Sequence, residues 1–275
     1  LKLTTGNSNV AVGKNALATN SSASNNTAVG TSALTANTTG VNNVAVGHSS
    51  LLANTTGAEN VALGDASLQT NTTASYNTAV GRASLLLNTT GANNTATGYK
   101  ALRANTTASN NTAVGYSALL ANTTGDQNVA VGANAGLSVT TGVQNTLIGY
   151  LAGDALTDAD YNVALGATAL GADTLGSRAV AIGRNALSAQ NFTSATDNYN
   201  VAVGFSAGAA VTTGTNNTLI GALAGDAITT ASYNVALGYE ALTVDTLGGN
   251  SVAIGAFALR DQNFTSATNA YNVGI

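Results

Sequence analysis

Short apolar and polar segments alternate along the whole chain with a fixed period. Each period contains the pattern Asn-(Val/Thr)-Ala-(Val/Ile/Leu)-Gly, and residues 111–115 are one copy of it. The glycine of this pattern recurs at a constant 17-residue spacing from Gly13 to Gly183. The step to Gly204 is 21 residues, the 17-residue spacing returns up to Gly255, and the copy that starts at Asn272 follows another 21-residue step. A spacing that is kept over so many copies is typical of a repeat architecture rather than of an ordinary globular core.

One repeat predicts two short strands and two turns. In the first apolar segment Thr112 and Val114 share one side of a strand, and Ala113 lies on the other. Residues 118–119 (Ala-Leu) supply a second short apolar segment, and residues 122–125 (Asn-Thr-Thr-Gly) form a closing turn. Stacked repeats of this kind predict an all-β fold, a parallel β-roll or β-solenoid of about 16 coils.

The repeats divide the chain into regular and longer sections without a linker. Residues 1–275 form a single continuous array, in which 1–127 follow the 17-residue repeat and 128–199 and 200–271 are two copies of a 72-residue super-repeat. The extra length lies in residues 190–196 and 262–268, where we expect a loop on one side of the solenoid. Because the last repeat stops partway, we expect this chain to be a segment of a longer fibre protein.

Stacking places equivalent residues of successive coils in columns. Amide side chains in such a column can hydrogen-bond along the axis, and a glycine column permits the coil geometry. Many of the asparagines also match the Asn-Xaa-Thr glycosylation pattern, but repetition of the coil explains them more simply. The predicted structural columns contain Asn37, Asn54, Asn71, Asn88, Asn105 and Asn122, and Gly47, Gly64, Gly81, Gly98 and Gly115.

The middle residue of each predicted strand is almost always alanine. If the Val-rich side of the strand fills the interior, the alanine side points outward as a flat apolar strip. Such strips are rare on monomers, so we expect chains to associate side by side along it. The predicted subunit interface contains Ala28, Ala45, Ala62, Ala79, Ala96, Ala113 and Ala130.

Composition supports a repetitive fold and excludes several classes of function. Charged residues make up 7% of the chain, and Pro, Cys, Met and Trp are absent. The formal net charge is −4 and no basic cluster is present, so we expect no nucleic-acid partner. No apolar run reaches the roughly 18 residues of a membrane span, so we expect no membrane insertion.

Candidate catalytic and metal-binding residues are few. His48, with Ser49 beside it and Asp65 one repeat later, superficially resembles a nucleophilic triad, but a flat rod surface offers no pocket or oxyanion hole. Asp154, Asp158 and Asp160 match neither an EF-hand nor a nonapeptide calcium repeat. We therefore predict no catalytic residue, no enzyme activity, no metal site and no cofactor.

Aromatic residues recur directly after the repeat glycine, in the most variable column. Exposed tyrosines can stack on sugars or protein partners, although they can also simply pack against the turn above. The candidate ligand-binding residues are Tyr99, Tyr116, Tyr150, Tyr239 and Phe205.

The repeat resembles a known family of adhesive fibres. Residues 251–255 (Ser-Val-Ala-Ile-Gly), followed by Ala-Leu at 258–259, resemble the head repeat of trimeric autotransporter adhesins. Residues 111–125 resemble even more the arrays of bacteriophage and other viral tail-fibre proteins. The resemblance covers essentially the whole chain and implies a left-handed parallel β-roll of three chains side by side that binds host matrix or cell surfaces. The family's usual unit is shorter than the repeat found in this chain, so a longer turn is expected here.

Three functional hypotheses follow. The first is a homotrimeric, non-catalytic extracellular fibre segment, on a virion tail fibre or a bacterial cell surface, that mediates or displays attachment to a host glycan or protein receptor. The second is a purely structural spacer with recognition elsewhere. The third is ice binding, because threonines form columns, although neighbouring threonines in a strand point to opposite sides.

Overall fold

A computed structural model describes residues 5–275 of the chain. The chain divides into two compact units on either side of the Asn134–Ala135 peptide bond. The described residues contain strands and turns and no helix.

The first unit is a parallel β-solenoid with one three-residue strand in each coil. Neighbouring strands pair in parallel and in chain order, with Val10 opposite Thr27 and Thr112 opposite Val129 at the two ends. The strands are β1 (Val10–Val12), β2 (Thr27–Val29), β3 (Val44–Val46), β4 (Val61–Leu63), β5 (Thr78–Val80), β6 (Thr95–Thr97), β7 (Thr112–Val114) and β8 (Val129–Val131).

The second unit has the same architecture with two additions. Its main strands are β9 (Thr146–Ile148), β10 (Val163–Leu165), β12 (Val180–Ile182), β14 (Val201–Val203), β15 (Thr218–Ile220), β16 (Val235–Leu237), β18 (Val252–Ile254) and β20 (Val273–Gly274). Two small parallel sheets accompany the 21-residue coils: β11 (Gly176–Ser177) pairs with β13 (Thr196–Asp197), and β17 (Gly248–Gly249) pairs with β19 (Thr268–Asn269). Both units are thus parallel β-solenoids, about sixteen coils in all, and the predicted all-β solenoid class is confirmed.

The prediction of a second strand in every 17-residue repeat is wrong. Residues 118–119 lie in a turn, in which Leu119 has a φ of 50° and its carbonyl accepts a hydrogen bond from Asn122 N at 3.2 Å. The leucines at this position from Leu17 to Leu242 have the same left-handed backbone and fully buried side chains, and the remaining coils between them have a left-handed glycine there: Gly136, Gly153, Gly208 and Gly225. A turn of this kind directs the leucine into the core without the length that a strand needs.

The prediction that the alanine column faces outward is also wrong. Ala28, Ala45, Ala62, Ala79, Ala96, Ala113 and Ala130 are all fully buried, so they belong to the core and present no surface to another chain. The physical reason is the narrow space between the strand and the buried turn leucine. One coil has a leucine, Leu147, at the strand position that is usually alanine, and a glycine, Gly153, at the turn position that is usually leucine. A Cβ on Gly153 would lie 2.7 Å from Leu147 Cδ2. The interior therefore accepts the small side chain, and the larger Val, Leu, Ile and Thr residues face outward.

Buried amides form a continuous ladder in the first unit. From Asn54 to Asn122, each Asn of the column donates from Nδ2 to Oδ1 of the preceding one, at 2.8–3.0 Å, beginning with Asn54 to Asn37. The same Nδ2 also donates to the carbonyl three residues later, as Asn71 does to Ala74 at 3.0 Å. The amides thus join neighbouring coils and close their own turns, which allows them to be fully buried. Within residues 5–275, Asn122 Oδ1 is buried without a hydrogen-bond partner. The equivalent residue of the next repeat is Val139, which has no side-chain amide to donate.

The repeat glycines are required by both backbone angle and space. Gly47, Gly64, Gly81, Gly98 and Gly115 have φ between 127° and 139°, a region essentially restricted to glycine. A Cβ on Gly81 would lie 2.6 Å from the carbonyl oxygen of Gly98 in the next coil.

Candidate interaction surfaces

The outer side of the strands forms an apolar surface in each unit. We call the first and third residues of the main strands the strand-face strip. In the first unit Val44, Val61, Leu63 and Val114 are 37–46% exposed. In the second unit Leu165, Ile220, Leu237 and Ile254 are 36–44% exposed. Within the described strands every strip position before β20 is Val, Leu, Ile or Thr, so this surface carries no charge.

The strand-face strip presents these side chains at a constant spacing. Parallel pairing in unbroken register repeats each outward position once per coil, about 4.8 Å apart. Covering such a strip removes apolar surface from water without burying a charge, which favours contact with another flat apolar surface. The strip, rather than the alanine column, is the exposed apolar feature of the strands.

The predicted aromatic residues lie at the surface, and some of them meet. The rings of Tyr99 and Tyr116 stack with centroids 5.4 Å apart and an interplanar angle of 23°. Tyr239 meets Phe257, which was not predicted, edge to face at 5.4 Å. Tyr150 and Phe205 are 57% and 49% exposed, and neither ring packs against another among the described residues.

Charged neighbours shift the pKa of two of these tyrosines. Lys100 Nζ lies 4.9 Å from the centre of the Tyr99 ring, and its interaction with the hydroxyl lowers the pKa of Tyr99. Glu240 raises the pKa of Tyr239 through a side-chain hydrogen bond. The Tyr99 ring is thus already in contact with Lys100 and Tyr116, and the Tyr239 ring is in contact with Phe257.

A second set of tyrosines was missed by sequence reasoning. We call Tyr76, Tyr161, Tyr199, Tyr233 and Tyr271 the αL tyrosines, because all have a left-handed backbone with φ between 49° and 65°. They are 44–70% exposed. Each directly precedes the asparagine that begins a repeat, and this Tyr-Asn pair was the sequence signal that could have identified them.

His48, Ser49 and Asp65 make the hydrogen bonds of a triad but lack its surroundings. His48 Nδ1 lies 3.0 Å from Asp65 Oδ1, and Ser49 Oγ lies 3.3 Å from His48 Nε2. Arg82 Nε lies 3.3 Å from the other carboxylate oxygen, and the hydrogen bond from His48 is the main cause that lowers the pKa of Asp65. The backbone N–H of Ser49 already donates to Thr31 O at 2.9 Å, so it is not free to stabilise an oxyanion.

The acidic residues near position 158 have separate partners. Asp158 accepts a hydrogen bond from the Thr141 hydroxyl, and Asp160 Oδ1 accepts one from Val143 N at 2.7 Å. Burial raises the pKa of Asp154. Within residues 5–275 no three His, Cys, Asp or Glu side chains are grouped closely enough to hold a metal ion.

The threonine pairs lie in bends rather than in strands, so the strand argument does not apply to them, and their two side chains have different surroundings. The hydroxyls of Thr55, Thr72 and Thr89 each donate to the carbonyl of the equivalent threonine in the next coil, at 3.0–3.1 Å. The following threonines, such as Thr56, are exposed. Only one of the two columns is therefore available to water as an exposed row.

Neither a protein-family model nor a curated protein sequence matches the chain. In the described part of the chain, no helix has the length and apolar character needed to cross a membrane.

Proposed function

We propose that this chain is a non-catalytic fibre segment that assembles with two further copies of itself and attaches to a host or other surface outside the cell. The observation that carries the proposal is the strand-face strip, an uncharged apolar surface that the main strands form on each unit. The resemblance of the repeat to adhesin heads and viral tail fibres supports the same assignment.

Two further copies of the same chain are the occupants that fit the strip best. A row of side chains spaced by one coil is matched along its length only by a surface with the same spacing, and another copy has that spacing. Three copies placed side by side close a ring in which each chain uses the same surfaces. Because the alanine column is buried, we assign the subunit interface to the strand-face strip instead of to those alanines.

Attachment is the second half of the proposal. The exposed rings of Tyr116, Tyr150, Phe205 and Tyr239 offer faces on which sugars or protein side chains can stack. In a three-chain assembly weak contacts are repeated on each copy, so their effects add through avidity without a deep pocket.

Thiol labelling tests the interface, because the chain contains no cysteine of its own. Val114→Cys places one thiol on the strand-face strip, and Thr124→Cys places one on an exposed turn as the matched control. We expect the strip thiol to react with a maleimide at least tenfold more slowly at high protein concentration, and as fast as the control after dilution to monomer. Equal rates at every concentration would show that the strip is not covered.

Surface binding separates an adhesive segment from a spacer. The fluorescently labelled chain is added to host-cell surfaces and to glycan-coated beads, beside a variant carrying Tyr116→Ser, Tyr150→Ser and Tyr239→Ser. An adhesive segment binds, and the variant binds more weakly while it keeps the native oligomeric mass. A chain that assembles but binds none of these surfaces supports the spacer.

A further inference from the structure

The second unit contains a cavity of about 320 Å³ beside the small sheet of β17 and β19. Tyr233, which is 60% exposed, lines the cavity together with Asn250, Thr268 and Asn269. The longer turn of the 21-residue coil ends at Thr268 and forms part of the wall. The volume falls at the lower end of ligand pockets, which hold about 300–1,000 Å³.

The first super-repeat has the same small sheet, and there an arginine side chain lies on the corresponding tyrosine ring. There the guanidinium carbon of Arg178 lies 4.7 Å from the centre of the Tyr161 ring. Arg178 Nε lies 2.9 Å from Asp197 Oδ2, and this ion pair is the main cause that raises the pKa of Arg178. Arg178 therefore lies over one face of Tyr161, the tyrosine that corresponds in the first super-repeat to Tyr233 in the second.

The second super-repeat replaces this ion pair with two amides. Asn250 stands at the position of Arg178, and Asn269 stands at the position of Asp197. Asn250 Nδ2 donates to Asn269 Oδ1 at 2.9 Å. Among the described residues Asn250 Oδ1 and Asn269 Nδ2 have no hydrogen-bond partner, so the pair presents one acceptor and one donor at the cavity.

Other lining positions also become smaller or lose charge. Gly249 stands where the first super-repeat has a serine, and Thr230 and Ser232 stand where it has two aspartates. All charged side chains of the first site are thus neutral in the second. A charged ligand would have no counter-ion in this lining, whereas an uncharged hydroxylated ligand would leave no charge unpaired.

We propose that this cavity binds one neutral hexopyranoside ring. Its apolar C–H face packs on the Tyr233 ring, and two of its hydroxyl groups pair with Asn250 Oδ1 and Asn269 Nδ2. This inference deepens the attachment function proposed above and rests on it for the role of the sugar as the group recognised on a surface. The site itself requires neither assembly nor cells.

The test is a titration of the full chain with three separate probes: methyl β-D-glucopyranoside, methyl β-D-galactopyranoside and methyl α-D-mannopyranoside. Saturation-transfer NMR and calorimetry measure binding. We expect saturable, millimolar binding of at least one probe at one site per chain. Tyr233→Ala should weaken it at least tenfold, while Tyr76→Ala, the same change at an αL tyrosine in a 17-residue coil, should leave it unchanged.

The two super-repeats supply reciprocal variants. Gly249→Ser with Asn250→Arg and Asn269→Asp should close the cavity and weaken binding at least tenfold. Ser177→Gly with Arg178→Asn and Asp197→Asn should open a second site and double the number of sites per chain. Circular dichroism and thermal melting confirm that each variant keeps its fold.

The outcomes separate this inference from the broader function. No saturable binding of any of the three probes, or unchanged affinity in the closed variant, would overturn the sugar site. A chain that adheres to cells yet binds none of the probes keeps the attachment function and loses this inference. A monomeric chain that binds a probe keeps the sugar site and loses the assembly.

Discussion

Replacing one repeat glycine with alanine is the sharpest test of the coil geometry. Gly81→Ala would put a methyl group 2.6 Å from Gly98 O and 2.7 Å from Gly98 C, at a residue whose φ is 127°. The backbone angle alone costs about 1–3 kcal/mol for a residue with a Cβ. The close contact also pushes apart two coils that are joined by the 2.7 Å hydrogen bond from Gly98 N to Val80 O.

The expected loss of stability is the sum of both effects. A lost hydrogen bond of this kind contributes about 0.5–1.5 kcal/mol, so Gly81→Ala should lower the free energy of unfolding by about 1.5–4.5 kcal/mol. Urea denaturation followed by circular dichroism, at one fixed protein concentration, measures the difference. That loss is a large fraction of the roughly 5–15 kcal/mol that stabilises a typical domain.

Two other glycines in the chain separate the causes. Gly255 has a φ of 119°, but the nearest atom to its added Cβ is Ile275 C at 3.9 Å, so alanine there brings only the backbone strain. Gly171 has no positive φ and its nearest contact is 3.3 Å, so alanine there should change stability by less than about 1 kcal/mol. The predicted order of destabilisation is Gly81, then Gly255, then Gly171. If Gly81→Ala proved as mild as Gly171→Ala, the close packing of coils on the glycine column would be wrong.

Three further predictions concern the ladder, the core and the surface charges. Asn71→Ala should destabilise the chain by about 1 kcal/mol more than Asn122→Ala in the same denaturation assay. The reason is that Asn71 Oδ1 accepts a hydrogen bond and Asn122 Oδ1 does not. Equal losses would contradict the ladder. Gly153→Ala should be destabilising, because the added methyl group meets Leu147. In a Leu147→Ala background the same change should cost about 0.5–3 kcal/mol less. Additive effects of the two changes would exclude the shared space. The lowered pKa of Asp65 means that its interactions stabilise the fold above its unfolded pKa and are lost as pH falls through its folded pKa. The small stability difference between the unaltered chain and Asp65→Asn should therefore vanish in acid, and a difference that grows in acid would reverse the assigned sign.

The repeat period, the stacking of coils and the structural columns could be predicted from the sequence. A 17-residue spacing kept by both asparagine and glycine leaves few arrangements other than a solenoid. The inside and outside of the strands could not be assigned in the same way, because Thr112-Ala113-Val114 alternates equally well in either orientation. The width of the coil decides the orientation, and the paired changes at Leu147 and Gly153 were the sequence signal for that width.

Other features depended on information that the repeat pattern does not contain. Leucine rarely adopts a left-handed backbone, so a turn at Leu119 had no local signal and the apolar pair was interpreted as a strand. The cavity beside Tyr233 required knowledge of which side chains meet across two coils and the 21-residue turn. The contrasts of Arg178 with Asn250 and of Asp197 with Asn269 make its neutral character visible.

The native mass of the chain in solution tests the central claim most directly. Light scattering over a range of protein concentrations should give three times the chain mass of 26.9 kDa, with dissociation only on dilution. That result would agree with three copies that cover one another's strand-face strips. A mass of 26.9 kDa at every concentration would contradict the assembly and leave the apolar strip without its proposed occupant.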